Sequence, residues 1–234
     1  MSDKLSSYLT SNNEDKGIDP LKKLFTTLAA LSMAFFILSS SVILTLRMKW
    51  TYALSQPDIV QVEYNLDDAT IKGNYDGLID YMFQGKSAKL SFQGLPMSKE
   101  GEIHFAEVKD LFRLAYFGMM ISGLLVLILG YFLYKQRNVS FIKFGAGLVL
   151  LIPAILAVPI LTNFDKTFIA FHELVFSNDY WIFDPRLDPI IRYLPESLFM
   201  KNALIILALI TLMIGIALIT GRALETRLSN QPFE

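Results

Sequence analysis

The sequence predicts a helical membrane protein, with a bundle of four transmembrane helices and a small extracellular α+β cap. The 234 residues are 53% hydrophobic and have a mean hydropathy of +0.43, which exceeds the apolar content of ordinary soluble domains. Four apolar runs each approach the ~20 residues that a helix needs to cross ~30 Å of hydrocarbon. Two alternating stretches between the first and second runs are typical of half-buried strands.

The apolar runs divide the chain into spans and connections. The first run follows a polar tail and lacks a small-residue cleavage site, so we interpret it as a span and not as a cleaved signal peptide. Asp19 and Pro20 are typical of a helix start. The predicted segments are a tail at 1–23, a span at 24–46, the cap at 47–112, a span at 113–134, a loop at 135–143, a span at 144–162, an outer segment at 163–201, a span at 202–221 and a tail at 222–234.

The flanking charges predict the orientation of the spans. Basic residues precede the first span, occupy the short loop between the second and third spans, and follow the fourth span (Lys22, Lys23, Lys135, Arg137, Lys143, Arg222 and Arg227). With four spans, these three regions lie on one side of the membrane. Short segments rich in Lys and Arg stay in the cytoplasm, so we expect both termini there and the two long connections outside.

The predicted cap carries a strand pattern on each side of a helix pattern. Apolar and polar residues alternate in "IVQVEYNL", and they alternate again at Leu90 and Phe92 before a glycine and a proline end the run. The intervening helix is indicated by the i, i+3, i+4, i+7 spacing of Tyr75, Leu78, Ile79 and Met82. This order of strand, helix and strand predicts the α+β character of the cap.

Both histidines of the chain are predicted at the outer ends of spans. His104 lies on a return helix that leads into the second span, with Glu107 on the same face. His172 lies in "FHELVFSNDYWIFDP", where Phe176 and Asp179 share its face if the third helix continues outward. A belt of interfacial aromatic residues explains the rings in this stretch, but not its histidine and carboxylates. Two histidines at one membrane surface are typical of an acid/base pair or of two metal ligands.

Composition and motifs limit the kinds of catalytic and binding site that the chain can form. A net charge of -1 provides no basic field for nucleic acid, and the absence of cysteine excludes disulfides, thiol nucleophiles and thiolate metal sites. "HELVF" begins like a zinc-protease motif, but Phe176 replaces the second histidine; a site made of His104, His172 and a carboxylate stays open. There is no G-x-S-x-G motif, and Ser177 is a poor candidate nucleophile. We therefore favour histidine acid–base catalysis with a nucleophile supplied by the substrate.

The stretch "FHELVFSNDYWIFDPRLDPIIRYLPESLF" resembles the family of lipoprotein intramolecular transacylases, which are integral membrane proteins of bacteria. The family pattern is F-H-x-x-F-F-x-N-D-x-W-x-F-D-P, then an Asp and L-P-E; here Val175 and Leu198 are mild departures. A histidine followed by D-V-K is a second family element, and it corresponds to "HFAEVK" with Glu107 at the aspartate position. "NYDGLIDYM" is similar to the tyrosine-leucine helix of the family. The resemblance extends from the first span to Phe199.

The resemblance implies an enzyme of the bacterial cytoplasmic membrane with its active site at the outer face. Its expected substrate is a diacylated lipoprotein in the lipid bilayer, whose N-terminal cysteine carries a diacylglyceryl thioether and a free α-amine. The enzyme would move the sn-2 acyl chain onto that amine and give lyso-form lipoprotein. Because the acyl donor and the nucleophile belong to one molecule, we expect no cofactor. We also expect no metal and, from the net charge, no nucleic acid partner.

The two histidines are the expected catalytic residues. We expect His172 to act as the general base on the amine, with His104 as the acid or oxyanion partner, although the reverse assignment stays open. The expected supporting and orienting residues are Glu107, Lys109, Asn178, Asp179 and Asp184. The expected lipid pocket consists of Phe171, Phe176, Tyr180, Trp181 and Phe183.

Two other functions stay open on the sequence alone. A membrane lipid hydrolase or intermolecular acyltransferase would act on similar lipids, but hydrolysis removes an acyl chain whereas intramolecular transfer leaves the substrate mass unchanged. A non-enzymatic membrane receptor or chaperone would tolerate neutral replacements of both histidines.

Overall fold

The computed structural model describes residues 20–58 and 66–231. The α-helices of this part are α1 Pro20–Arg47, α2 Asp68–Met82, α3 Lys99–Lys135, α4 Ser140–Thr162, α5 Phe164–Val175 and α6 Glu196–Ser229, with 3₁₀ helices at Lys49–Asp58 and Pro189–Tyr193. Four of these helices, α1, α3, α4 and α6, are long and apolar enough to cross a membrane. The predicted helical membrane protein with four spans is therefore confirmed.

Helix α1 is the common neighbour within the bundle. It packs against α3, α4 and α6, and α4 also packs against α6. A small residue permits one close approach, because a Cβ atom at Gly145 of α4 would lie 2.9 Å from the carbonyl oxygen of Ala30 of α1. Large apolar side chains such as Leu127 and Ile219 are exposed on the outside of the bundle, as expected where lipid covers the surface.

The basic ends of the four long helices meet at one end of the bundle. Lys22 at the start of α1 lies 3.5 Å from the carbonyl oxygen of Gln136 after α3, and Arg137 donates to the carbonyl of Leu228 near the end of α6. His104 is near the opposite end of α3, about 48 Å from Gln136 at about 1.5 Å per residue. The basic residues and the histidines are therefore at opposite ends of the bundle.

The end of the bundle that carries the histidines, which we name the cap end, has a hydrophobic core of its own. All four residues whose spacing predicts the cap helix are buried in this core on α2. The ring of Tyr75 stacks on that of Tyr52 with 4.2 Å between centroids, and the Tyr52 hydroxyl donates to the Tyr193 carbonyl at 2.9 Å. These contacts join the first 3₁₀ helix, α2 and the second 3₁₀ helix into one layer.

The predicted α+β character of the cap is wrong for the part of the chain that the structure describes, because that part forms no β-strand. Phe92 lies in a turn, where an isolated bridge joins it to Leu95 and Gly94 has a φ of 74°. The side chain of Asn74 donates to the Gln93 carbonyl at 3.0 Å and accepts from the Gln93 N–H at 2.7 Å. It thereby satisfies backbone groups that a neighbouring strand would otherwise pair. The other predicted strand, 59–66, lies outside the described residues except for its last residue, Leu66.

The third span does not continue outward as one helix. Asn163 ends α4, and its side chain accepts a hydrogen bond from the Lys166 N–H at 3.1 Å, so that a new helix starts. This helix, α5, ends at Val175, and Phe176 has extended backbone. Phe176 and Asp179 are therefore not on the helix that carries His172, in contrast to the expected i+4 and i+7 arrangement.

Candidate active site

The two histidines meet at the cap end of the bundle. His104 comes from the second turn of α3 and His172 from the last turn of α5, and their ring centroids are 6.0 Å apart. Both side chains are buried, with exposed fractions of 5% and 8%. The two rings are thus close enough for one small reacting group to contact both.

A backbone carbonyl fixes the tautomer of His172. The Nδ1 atom lies 2.7 Å from the carbonyl oxygen of Phe168, one turn earlier on α5. Because a carbonyl oxygen only accepts, Nδ1 carries the proton of the neutral ring and Nε2 carries the lone pair. Burial lowers the pKa of His172, and the hydrogen bond to Phe168 partly opposes that effect. His172 is therefore a neutral ring with a basic Nε2 near pH 7.

The ring of His104 lacks the kind of hydrogen bond that fixes His172. Its Nδ1 atom is buried and has no hydrogen-bond partner among the described residues. Charging both rings would combine the cost of burial with repulsion across 6.0 Å, so the pair holds at most one positive charge. His104 Nδ1 is thus available for a hydrogen bond to a bound group.

Aromatic side chains surround the pair. The Phe176 ring lies 4.9 Å from that of His104 and 5.5 Å from that of His172. Other ring-to-ring distances are 4.9 Å for Trp181, 5.4 Å for Phe171 and 4.1 Å for Phe168, all to His172, and 5.5 Å for Phe183 and 6.0 Å for Phe105, both to His104. Such a wall excludes water and strengthens electrostatic interactions inside it. Tyr180, which was expected in this pocket, is exposed and donates its backbone N–H to Asn178.

A hydrogen bond between side chains joins the two elements of the site. Asn178 Nδ2 donates to Glu107 Oε1 at 2.8 Å and so connects the segment after α5 to α3. The other oxygen, Glu107 Oε2, is buried and has no hydrogen-bond partner in residues 20–58 and 66–231. Asp179 is exposed, and its backbone carbonyl accepts from the Ile182 N–H at 3.0 Å. Of the expected orienting residues, Glu107 and Asn178 therefore form a hydrogen bond with each other, whereas Asp179 is an exposed residue.

Two further expected residues lie beside the site. Lys109 is buried, donates to the Gly85 carbonyl at 2.8 Å and lies 4.0 Å above the ring of Tyr81, so it ties α3 to the end of α2. Asp184 pairs with Arg186 at 2.7 Å, and this pairing lowers the pKa of the Asp184 carboxyl to about 2. The contacts of Lys109 and Asp184 are thus with residues outside the histidine pair. Among the described residues, no group of three or more His, Asp or Glu side chains could hold a metal ion.

A family model covers most of the chain, including the site. The model of the lipoprotein intramolecular transacylase Lit matches residues 27–199, a range that includes both histidines, two complete spans and most of α1. The chain belongs to this family.

Solved structures of Lit extend the match to nearly the whole chain. The membrane integral lipoprotein intramolecular transacylase Lit from Bacillus cereus is 34% identical, with 90% of this chain and 99% of that chain covered and a TM-score of 0.84. Variants of that protein with a histidine replaced by alanine or by arginine are 34% and 32% identical, and both have a TM-score of 0.77. No curated protein matches the sequence significantly. The resemblance predicted from the motifs is confirmed, and the chain is a multi-pass membrane transacylase.

In this Lit-family transacylase, the structure also reveals a clamp that the sequence motifs do not show. Asp188 is 3% exposed; its Oδ1 accepts from the Ser98 N–H at 2.7 Å and its Oδ2 from the Ser98 hydroxyl at 2.6 Å. Ser98 in turn caps α3 by accepting from the Gly101 N–H at 2.9 Å. A Cβ atom at Gly101 would lie 2.4 Å from Asp188 Oδ1, so glycine makes room for the carboxylate. The clamp fixes the start of the helix that carries His104.

The sequence contains only weak signals for these additional residues. Asp188 is the Asp of the family pattern between D-P and L-P-E, and it precedes a proline; these features predict its presence and backbone conformation but not its partner. Ser98 three residues before Gly101 is a recognisable cap for the helix start. Phe168 lies one helical turn before His172, but nothing in the sequence marks its backbone carbonyl as a partner for a side chain.

Proposed function

We propose that this Lit-family transacylase moves the sn-2 acyl chain of a diacylglyceryl-cysteine lipoprotein onto the α-amine of the N-terminal cysteine and gives lyso-form lipoprotein. The observation that carries this proposal is the buried pair of His104 and His172, 6.0 Å apart, with Nε2 of His172 left basic by the Phe168 carbonyl. The chain has no cysteine nucleophile, and in this reaction the substrate supplies both the amine and the ester.

The proposed reaction starts with His172. Its Nε2 takes a proton from the neutral amine as the nitrogen attacks the carbonyl carbon of the sn-2 ester. The N–C bond forms, and the carbonyl oxygen becomes an oxyanion that a ring N–H of His104 stabilises. The bond from the carbonyl carbon to the glycerol oxygen then breaks, and His172 returns its proton to that oxygen. An amide and a hydroxyl replace an ester and an amine, so atoms and charge balance without a co-reactant.

The aromatic wall supports transfer over hydrolysis. The substrate must fold its amine back onto its own ester, and a site that holds this geometry recovers several kcal/mol of ordering entropy. Phe176 contacts both histidine rings, and the Trp181 ring lies 4.9 Å from that of His172. By excluding water, these rings leave the amine as the nucleophile nearest to the ester.

We further propose that the cap end faces outward from the bacterial cytoplasmic membrane and that both termini are cytoplasmic, with the segments divided as the sequence predicts. The support is the cluster of Lys and Arg residues at the other end of the bundle. The cysteine-free chain permits a direct test with single substitutions and a membrane-impermeant maleimide on intact cells. Glu100→Cys should be labelled at once, and Gln231→Cys only after permeabilisation; the opposite pattern would reverse the orientation.

The reaction is tested by expressing the protein in a bacterium whose lipoproteins are only diacylated, followed by tandem mass spectrometry of one lipopeptide. We expect an unchanged total mass with an acyl chain now on the cysteine nitrogen. A matched strain that expresses His172→Gln should retain the original lipopeptide. Loss of an acyl chain would show a hydrolase, and a gain of one would show an intermolecular acyltransferase.

A further inference from the structure

Two unpartnered polar atoms belong to residues on one face of α3. They are His104 Nδ1 and Glu107 Oε2, both buried and without a hydrogen-bond partner among the described residues. Residues three apart on a helix lie on the same face, about 5–6 Å apart at Cβ. Because buried polar atoms are nearly always paired, two such atoms on one helix turn beside the histidine pair indicate a place for a polar group of the substrate.

The Glu107 side chain is held in one orientation. Its other oxygen accepts from Asn178 Nδ2 at 2.8 Å, and Asn178 Oδ1 accepts from the Tyr180 N–H at 3.1 Å. Glu107 therefore cannot turn Oε2 toward water without breaking its bond to Asn178. The nearby basic group, Lys109, is bonded to the Gly85 carbonyl and covers the Tyr81 ring. The carboxylate thus keeps one fixed acceptor atom for a donor that enters the site.

We propose that Glu107 binds the α-ammonium group of the lipoprotein substrate through Oε2 and makes the enzyme prefer this substrate to its own N-acylated product. The inference rests on the function proposed above and names the group that recognises the amine. A carboxylate only accepts hydrogen bonds, and its bonds to a cationic donor are the strong ones. An α-amino group has a pKa of about 7.7–8.0, so it is mostly an ammonium near pH 7.

The same contact favours release of the product. Before attack, the bound ammonium loses one proton to bulk water, and the neutral amine then reacts with His172 as base. After transfer, the nitrogen belongs to an amide, which has no charge and a single N–H. Glu107 therefore loses its charged partner when the reaction is complete, whereas the apolar contacts to the acyl chains remain.

The chain offers an isosteric variant and a matched control. In Glu107→Gln, the amide oxygen can still accept from Asn178, but an NH₂ group replaces Oε2 and donates where the carboxylate accepted. Asp110→Asn is the control, because Asp110 is exposed on the next turn of α3 and the substitution changes the charge equally. The ligands are two diacylglyceryl-cysteine peptide analogues with ether-linked chains, which cannot transfer; one has a free α-amine and the other an acetylated one.

Binding is measured with the full-length protein in detergent micelles. The unsubstituted protein and Asp110→Asn should bind the free-amine analogue about tenfold more tightly than the acetylated one. Glu107→Gln should lose this preference and keep its affinity for the acetylated analogue. A preference that persists in Glu107→Gln would overturn the proposal, and so would an equal loss of affinity for both analogues, which would show a structural role. A parallel assay with the ester lipopeptide tests the transfer reaction separately from amine recognition by Glu107. If the unsubstituted protein formed no N-acyl product, the transfer reaction itself would be contradicted.

Discussion

The two catalytic histidines belong to regions that are stabilised in different ways. His104 is on α3, a helix of 37 residues whose N-cap residue is held by Asp188 and which Lys109, five residues after His104, ties to the end of α2. His172 is on α5, a helix of 12 residues in which it is the only buried side chain. Its neighbour Leu174 is 86% exposed. Contacts from distant parts of the chain thus position His104, and a carbonyl of its own helix orients His172.

The two regions are therefore suited to different roles in the reaction, His104 to stabilising the oxyanion and His172 to acting as the base. A long clamped helix provides a fixed position for the group that must meet the developing oxyanion, because stabilisation of that charge depends on preorganised geometry. A base must also present the correct nitrogen, and the Phe168 carbonyl does this locally at His172. Substitutions far along the chain should therefore act through His104, whereas the ionisation of His172 should determine the pH dependence.

The largest effect is expected from replacing the histidines themselves. His172→Gln removes the base and should lower the rate of transfer about 10³-fold, within the range typical of general acid–base groups. His104→Gln keeps an amide N–H that can donate to the oxyanion, so we expect a smaller loss of about 10²-fold. Rates are measured as N-acylated lipopeptide formed per unit time, with the melting temperature of each variant as the folding control. The reverse order of losses would exchange the roles of the two residues.

A smaller effect is expected from opening the clamp at the start of α3. Ser98→Ala removes a hydroxyl that donates to the buried carboxylate, and Asp188→Asn replaces that carboxylate with an amide. Each substitution should destabilise the protein by about 1.5–3 kcal/mol. Because His104 lies on the clamped helix, the turnover number should also fall about tenfold, with little change in KM. The double variant should lose little more than either single variant, since both substitutions break the same contact. Fully additive losses would mean that Asp188 and Ser98 act independently.

The ionisation of His172 predicts the pH dependence of transfer. Burial lowers the pKa of His172, so the active neutral form persists below the ordinary value of about 6.5. Because the substrate amine must also lose a proton before attack, the turnover number is divided at each pH by the neutral fraction of that amine. This ratio should be constant above the lowered pKa of His172 and should fall as the pH decreases through it. At saturating substrate, more than half of the ratio at pH 7.5 should therefore remain at pH 6.5. A midpoint above 6.5 would show that another group limits the reaction.

Local patterns in the sequence are sufficient to predict the spans and the helix of the cap. A soluble chain of this length could not bury four long apolar runs in its core. The spacing of Tyr75, Leu78, Ile79 and Met82 indicates the buried face of α2. The sequence also identifies both histidines, because the chain contains so few residues that can exchange a proton near neutral pH. The family motif adds most of the aromatic residues around them.

Features that depend on distant partners could not be predicted in this way. The alternation at Leu90 and Phe92 indicates a strand, but Asn74 binds the Gln93 backbone and produces a turn. The clamp joins Ser98 to Asp188, 90 residues away, and neither residue carries a motif that names the other. Asp179 was expected to orient a histidine because it lies close in sequence, but the end of α5 at Val175 separates the two.

The smallest effect is expected at Asp184, which belongs to the family motif but not to the contacts of the histidine pair. Its carboxylate pairs with Arg186, two residues away, and the Arg186 side chain is 84% exposed. Exposed pairs of this kind contribute little, so Asp184→Asn should change the rate of transfer by less than about twofold.

Phe183 provides the matched comparison, because it is adjacent in sequence and its ring lies 5.5 Å from that of His104. Phe183→Leu should reduce transfer more than Asp184→Asn does, in side-by-side assays of N-acylated lipopeptide. If Asp184→Asn were the more damaging substitution, its carboxylate would have to act on the bound substrate. The substrate-binding site would then include the turn at Arg186 and would extend beyond the aromatic wall around the histidines.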